Sequence, residues 1–367
     1  MPRRCATRSA NWRAPAVDLD VFESSVGEWL KGEGPESDIV ISSRVRLARN
    51  LGGHHFLARA SQDELESIEA SVGRYLREKD GRFAGLYFRM KELSQMDRYI
   101  LVERHLISRE HSRPEPGRAL AATDDERLSV MINEEDHLRI QMLRSGLRLE
   151  EAWREADEFD NRLSETFGYA FSPKYGYLTA CPTNAGTGLR VSVMLHLPAL
   201  VMTREIEKLF RAISKINLAV RGLYGEGTQA YGDLYQISNQ ASLGRPEAGI
   251  RENLESVAAS VISYERKARE RILSDDGIKA RDRLWRAFGM LKSVHLLSSE
   301  EMMHLLSAVR LGANAGVLPS LEARVLNELF LLTQPAHLQK VVGRTLTAEA
   351  RDAERARLIR ERLASFN

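Results

Sequence analysis

The chain has 367 residues, enough for two or three domains with ample cores. Its 53 Lys+Arg against 51 Asp+Glu leave a net charge of +2, so no global field draws it to nucleic acid or to an anionic membrane. Two cysteines, Cys5 and Cys181, imply no disulfide framework and fit a reducing, cytoplasmic setting; the longest nearly uncharged run, Val191 to Thr203, is too short to span a bilayer.

The first seventeen residues, MPRRCATRSANWRAPAV, are basic, free of acids and without the apolar core of a secretory signal. They read as a disordered extension over residues 1–20, although an organellar transit peptide would share the composition. Val21 to Leu30 patterns as a short amphipathic helix that Gly32-Glu33-Gly34-Pro35 breaks. Asp38 to Leu47 alternates as a strand, with Val45 on one face and Arg44 and Arg46 on the other. Gln62 to Glu78 has helical spacing, and Leu86 to Met90 and Tyr99 to Val102 read as strands. Val130-Met131-Ile132 reads as a buried strand that stops at Asn133 and three acids, Glu134, Glu135 and Asp136, followed by His137 and Arg139. A charged helix is expected over Leu149 to Phe167, a short strand over Tyr177 to Ala180 and a loop over Cys181 to Gly188. Arg190 to Leu197 alternates as a strand, Thr203 to Ile216 as a helix, and Leu218 to Val220 leads into a loop with Gly222, Gly225 and Gly227.

From Pro246 onward five helical patterns follow: Arg251 to Leu273, Gly277 to Lys292, Ser299 to Arg310, Ser320 to Leu332 and Thr347 to Ser365. Ser298 and Glu301 form a capping-box pattern, and Pro319 and Pro335 punctuate the region. The expected organisation is therefore an α+β domain over residues 21–269 and an all-helical domain over residues 270–367.

Three adjacent carboxylates at a strand end repel one another, and a cation supplied by a substrate would relieve them. The arginines point to the complementary chemistry. Arg44 and Arg46 are two apart on a strand and share a face. Arg139 follows the acids, Arg190 begins a strand behind the glycine loop, and Arg221 opens a second one. Guanidinium forks suit phosphate oxygens. Neither a GxxxxGK[ST] loop nor a GxGxxG fingerprint occurs, so a nucleotide would have to be held by an arginine cage.

Four ordered blocks carry a specific resemblance: Ser42-Ser43-Arg44-Val45-Arg46-Leu47-Ala48-Arg49, Asn133 to Arg139, Gly176 to Asn184, and Val220-Arg221-Gly222-x-x-Gly225-Glu226. They resemble the signature blocks of the ATP:guanido phosphotransferases. The resemblance implies an antiparallel sheet flanked by helices, ATP with Mg²⁺, and phosphoryl transfer to a guanidinium nitrogen. It implies a nucleotide-binding set of Ser42, Ser43, Arg44, Val45 and Arg46, with His105 and Arg139. The set continues with Arg190, Val191, Ser192, Val193 and Met194, and ends with Arg221, Gly222, Leu223, Tyr224, Gly225 and Glu226. Glu135 and Glu226 match the carboxylates that hold the guanidinium, and Cys181 matches the thiol beside it. No residue is singled out as a direct metal ligand; Glu134 and Asp136 either position Glu135 or support the metal's water shell.

Two departures from the metabolite kinases bear on the substrate. Only 41 residues precede Ser42, where those enzymes carry a helical domain of their own, and a more open site suits a side chain on a protein. Near the C-terminus, Arg351-Asp352-Ala353-Glu354-Arg355-Ala356 resembles the RDxxRA motif of bacterial protein-arginine kinases, where it forms a phosphoarginine-binding pocket. Spacing alone would make it an ordinary salt-bridged helix. Leu223 stands where the family carries a small hydroxyl residue. The resemblance implies protein clients with exposed arginine, a zinc-binding activator protein, a heat-shock repressor, a Clp-type protease and a homodimer, with no direct nucleic acid and no membrane. A free guanidino-metabolite kinase and a non-catalytic phosphoarginine-binding adaptor are the alternatives; an arginine-rich nucleic-acid binder is weaker still, because the arginines fall at strand ends and not in a stripe.

Overall fold

The computed structural model describes residues 27–83, 85–223, 230–274, 277–318, 321–364 and 366. A 3₁₀ turn (Glu28–Leu30) precedes β1 (Val40–Arg49), α1 (Gln62–Glu78), β2 (Leu86–Arg89) and α2 (Gln95–Glu103). Then come β3 (Ala119–Ala122), β4 (Leu128–Ile132), β5 (Leu138–Ser145), α3 (Leu149–Thr166), β6 (Phe171–Ser172), β7 (Gly176–Tyr177) and β8 (Leu189–His196). The chain continues through α4 (Pro198–Met202), α5 (Ile206–Ser214), β9 (Leu218–Gly222), β10 (Leu234–Asn239) and α6 (Glu247–Leu273). It ends in α7 (Ile278–Ser293), α8 (Ser299–Asn314), α9 (Ala323–Leu332), α10 (Pro335–Val342) and α11 (Ala348–Leu363). Eight strands form one antiparallel sheet in the order β2-β3-β4-β5-β1-β8-β10-β9, with helices against it, which is the α+β class expected.

Strand alternation decides which residues become core and which become site. Val45 and Leu47 of β1 share a face with Ile140, Val191, Val193 and Ile237. That face is fully buried under Val72 and Leu76 of α1, Phe159 and Leu163 of α3, and Leu254 and Val261 of α6. The opposite face carries the arginines. One end of it is covered by the C-terminal helices: Leu143, Met194 and Leu234 pack with Phe288 of α7, Met302 of α8, Phe330 of α9 and Ile359 of α11. Leu86, Phe88, Leu120 and Met131 close the β2 side with Leu101 and Leu106. The cations are left between these two apolar patches.

Several expectations need correction. Tyr99 to Val102 lies within α2, because the Ser94 hydroxyl caps the helix by accepting from Asp97 N at 3.1 Å. A four-residue apolar run fits either element, and the cap decides it. The Thr203–Ile216 helix is shorter: Arg204, at φ 60°, breaks α4 from α5. Pro335 is not punctuation but the first residue of α10, where its missing N–H is harmless. The Tyr177–Ala180 strand shrinks to Gly176–Tyr177. Residues 1–20, and 21–26 of the expected first helix, lie outside the described residues. No described helix is long and apolar enough to cross a membrane.

Candidate active site

The acid block is the tight turn joining β4 to β5. Asn133 takes the left-handed conformation, φ 57°, which asparagine tolerates better than most residues. Its side-chain amide donates to Leu65 O at 2.9 Å and Gly117 O at 2.8 Å. The three acids then take different jobs. Asp136 Oδ1 accepts from Asn50 Nδ2 and from Ala180 N, both at 2.6 Å, and so ties the turn to the end of β1 and to the Cys181 loop. Glu134 pairs with Arg139 at 2.6 Å and accepts from Ser108 Oγ at 2.7 Å. Glu135 projects outward: its side chain is 41% exposed, with Arg139 at 3.3 Å. Burial raises its pKa; Arg139 opposes this, and the Asp136 and Glu134 charges add to it. His137 is structural, accepting from Leu51 N at 3.0 Å through Nδ1 and lying 3.0 Å from His55 O through Nε2.

Beside this turn lies the cationic face. Arg46 pairs across the sheet with Arg190 on one side and Gln141 on the other, and Arg44 with Ser192 and Leu143. Arg139 lies opposite Ala48, and Arg221 opposite Gln236. Arg44 donates to Ser192 Oγ at 3.3 Å and to Gln236, and Arg190 donates to Ser238 Oγ at 3.2 Å. Burial, then Arg190 and Arg139, push the Arg44 pKa down to about 10. Burial, then Arg44, Arg139 and Arg190, push Arg46 well down, with Glu134 opposing. Burial, Arg221 and Arg139 lower Arg190, and the nearby Cys181 and Glu135 offset part of this. Among the described residues, the buried Nε atoms of Arg46 and Arg190 have no hydrogen-bond partner. A buried N–H without an acceptor and a set of like charges both raise the free energy of the fold. A polyanion answers both, so the residues present fit a nucleotide triphosphate.

Cys181 is half-buried, its Sγ 3.0 Å from Thr183 Oγ1. Its loop is held by Ser242 Oγ, which lies within 3.4 Å of the carbonyls of Thr183, Asn184 and Ala185, nearest to Ala185 O at 2.9 Å, and has one hydrogen to donate among them. His105, φ 59°, lines a narrow cleft with Ser42, Arg44, Ser192, Met194, Gln236 and Trp29. Ser43 lies on the other face with the core residues Val45, Val191 and Val193, and its hydroxyl donates to Gly146 O at 2.8 Å. Tyr224, Gly225 and Glu226 lie outside the described residues. Beside them, Leu223 N donates to Leu234 O at 2.9 Å, and its apolar side chain packs against the cluster that the sheet shares with the C-terminal helices.

The RDxxRA segment opens α11. Arg355 is 1% exposed and donates to Thr333 O at 3.0 Å and Leu297 O at 2.7 Å. Asp352 pairs with Arg355 at 2.6 Å, and Arg351 donates to Leu346 O at 3.1 Å; both are half-buried, as are Ala353 and Glu354, while Ala356 is in the core. Sequence reasoning passed over Gln236, Ser238, Asn50 and Trp29. The alternation Tyr235-Gln236-Ile237-Ser238 is legible as a strand with two polar residues facing one way; nothing in sequence marks Asn50 or Trp29.

Residues 67–268 match the ATP:guanido phosphotransferase C-terminal catalytic domain. Among solved structures, a lombricine kinase aligns with a TM-score of 0.57 at 27% identity, covering 72% of this chain and 74% of its own. A duplicated taurocyamine kinase from Schistosoma mansoni shares the fold with a TM-score of 0.58 at 24% identity, over 77% of this chain and 40% of its own. The fold and the domain match are those of a guanido phosphotransferase, an enzyme class. Residues 277–367 match the protein-arginine kinase McsB C-terminal domain. The protein-arginine kinase of Halothermothrix orenii is 48% identical over 94% of this chain and 98% of its own. That of Bacillus subtilis is 46% identical over 93% of this chain and 94% of its own. The chain belongs to the protein-arginine kinase family of the ATP:guanido phosphotransferases.

Proposed function

We propose that this protein transfers the γ-phosphoryl group of ATP to arginine side chains of client proteins. The observation that carries this reading is the outward Glu135 beside a face of arginines on which, among the described residues, the buried Nε atoms of Arg46 and Arg190 lack acceptors. Arg44, Arg46, Arg139, Arg190 and Arg221 would hold the phosphates. Mg²⁺, bound with the nucleotide, would supply further charge neutralisation. A free guanidinium is protonated at neutral pH and is a poor nucleophile. Glu135, with Glu226 by its match to the family pattern, aligns the client guanidinium and accepts its proton. The N–P bond forms as the bond to the ADP oxygen breaks. The transfer is mainly a matter of alignment and charge stabilisation. Cys181, as a thiolate, would add negative charge beside the guanidinium; as a thiol it would only pack there.

The same reading assigns residues 21–269 to catalysis and residues 270–367 to regulation, with Arg351 to Ala356 as a phosphoarginine-binding segment. It places the protein in cytoplasmic quality control as a homodimer, with a zinc-binding activator, a heat-shock repressor and a Clp-type protease as partners.

The test is incubation of purified protein and MgATP with an unfolded arginine-rich client, with free L-arginine in parallel. Acid-labile phosphoarginine on the client, read by mass spectrometry, is expected; labelling of free arginine alone would replace the reading with a metabolite kinase. Glu135→Gln should lower kcat by roughly 10²–10⁴-fold, the usual worth of a positioned base, while ADP affinity is retained.

A further inference from the structure

The narrow cleft beside Arg44 has a wall whose neighbouring segments are bonded to the C-terminal helices. His105 forms that wall, in a left-handed backbone conformation that local sterics do not favour. Three contacts hold it there. Gln141 Nε2 donates to His105 O at 2.8 Å. Trp29 meets the imidazole edge-on, ring centroids 5.0 Å apart, and its turn is fastened to α9 by Asn327 Nδ2 donating to Leu30 O at 3.1 Å. The third is the segment leading into His105. Glu103 accepts from Ala336 N at 2.8 Å and His337 N at 3.0 Å, the free donors of the first turn of α10, and lies 2.7 Å from His337 Nδ1. Arg104, fully buried, pairs with Glu126, with His337 Nε2 at 3.4 Å from its guanidinium.

We infer that Glu103 is a positioning residue for the nucleotide site, clasping the N-terminus of α10 so that His105, two residues on, is held against Arg44. The inference rests on the nucleotide-dependent reading of this site. The sequence Glu103-Arg104-His105 divides the work: the first two residues grip the helical region and the third faces the cleft. A residue that only stabilised the fold would need no such adjacency. Undocking α10 removes three acceptor contacts from one carboxylate and releases the backbone just before the strained His105.

The test compares Glu103→Ala and Glu103→Gln with Ser298→Ala, which removes the hydroxyl cap of a neighbouring helix, α8. ADP affinity is measured by calorimetry on the full chain, together with the KM for ATP, kcat and thermal midpoint. Glu103→Ala should weaken ADP binding and raise the KM for ATP by about 5- to 10-fold, the lower range of typical coupling between sites, with kcat at saturating ATP changed far less. Glu103→Gln keeps one oxygen to accept from one of the two backbone donors but turns an amide N–H toward the other, so it should recover only part of the affinity. Ser298→Ala should lower the thermal midpoint without moving either nucleotide constant. Unchanged ADP affinity in Glu103→Ala, or an equal loss in Ser298→Ala, would overturn the inference. Wild-type protein that binds ADP but labels no client would sink the proposed function alone, since the affinity arm still reads the clasp.

Discussion

Arg44, Arg46 and Arg49 come from one short block, and strand parity separates their fates. Arg49 points with Val45 and Leu47 to the helix-covered face, where it pairs with Asp160 at 2.7 Å and lies over the Tyr177 ring at 3.6 Å. Its charge is answered within the fold. Arg46 faces the other way, among Arg44, Arg139 and Arg190, with its Nε unpartnered among the described residues. The fold without nucleotide therefore carries a repulsion that binding relieves. Arg46→Gln should raise unfolding stability by about 1 kcal/mol, the scale of gains seen when a strained site is relaxed. The same change should weaken ADP binding by roughly 10-fold, the 1.4 kcal/mol expected from one charge-assisted contact. Urea unfolding and calorimetry on one preparation check both signs; a loss in both would show that Arg46 is a fold residue like Arg49.

At the scale of elements, the acid turn is a junction and not only a bearer of Glu135. Asp136 receives donors from the end of β1 and from the residue before Cys181, so one carboxylate sets the spacing of three site segments. Asp136→Ala leaves Asn50 Nδ2 with Leu178 O at 3.1 Å, so one N–H of this buried amide loses its acceptor, while the N–H of the exposed Ala180 turns to water. Leaving a buried donor unsatisfied costs about 1–3 kcal/mol. The denaturation midpoint should fall accordingly, and kcat should drop further than the KM for ATP rises, because the damage lies on the guanidinium side. Much of this was readable beforehand. Residue types and order gave the acid turn, the arginine strand and α1, since alternation and capping are local. Asp136 as a tie and Glu134 as the partner of Arg139 were not readable, because both depend on what the fold brings across from Asn50, Ala180 and Ser108. The helix at Gln95–Glu103 escaped because four apolar residues fit both periods, and α10 escaped because a proline that opens a helix looks like one that ends it.

For the molecule as a whole, the histidines set a pH limit. His111 and His196 are fully buried, and burial pushes the first down to about 3 and the second well below its ordinary value. His137 and His337 are lowered for the same reason. His196 joins the sheet to the C-terminal helices, 2.9 Å from Arg310 through Nδ1 and 2.8 Å from Ser307 Oγ through Nε2. A proton on it would face Arg310, with Arg269 beyond. A histidine whose folded pKa is depressed stays neutral in the native state while the unfolded chain gains a proton. Its contribution is therefore present above the unfolded pKa, near 6.5, and is lost as pH falls below it. For His111, with a folded value of about 3, the loss between pH 7 and pH 5 is about 2 kcal/mol. His196 acts in the same direction. Asp233 and Glu265, both raised by burial, act in the opposite one, since a folded carboxyl that takes up a proton early gains stability as pH falls. A difference between variants isolates the histidine. His111 contacts Ala119 O at 3.0 Å through Nε2, a contact a glutamine amide can replace. His111→Gln should therefore reduce the stability lost between pH 7 and pH 5 by about 2 kcal/mol, measured by urea unfolding at both pH values. Parallel curves for variant and wild type would mean that His111 takes up its proton as readily in the folded protein as in the unfolded chain, and that acid loosens this protein elsewhere.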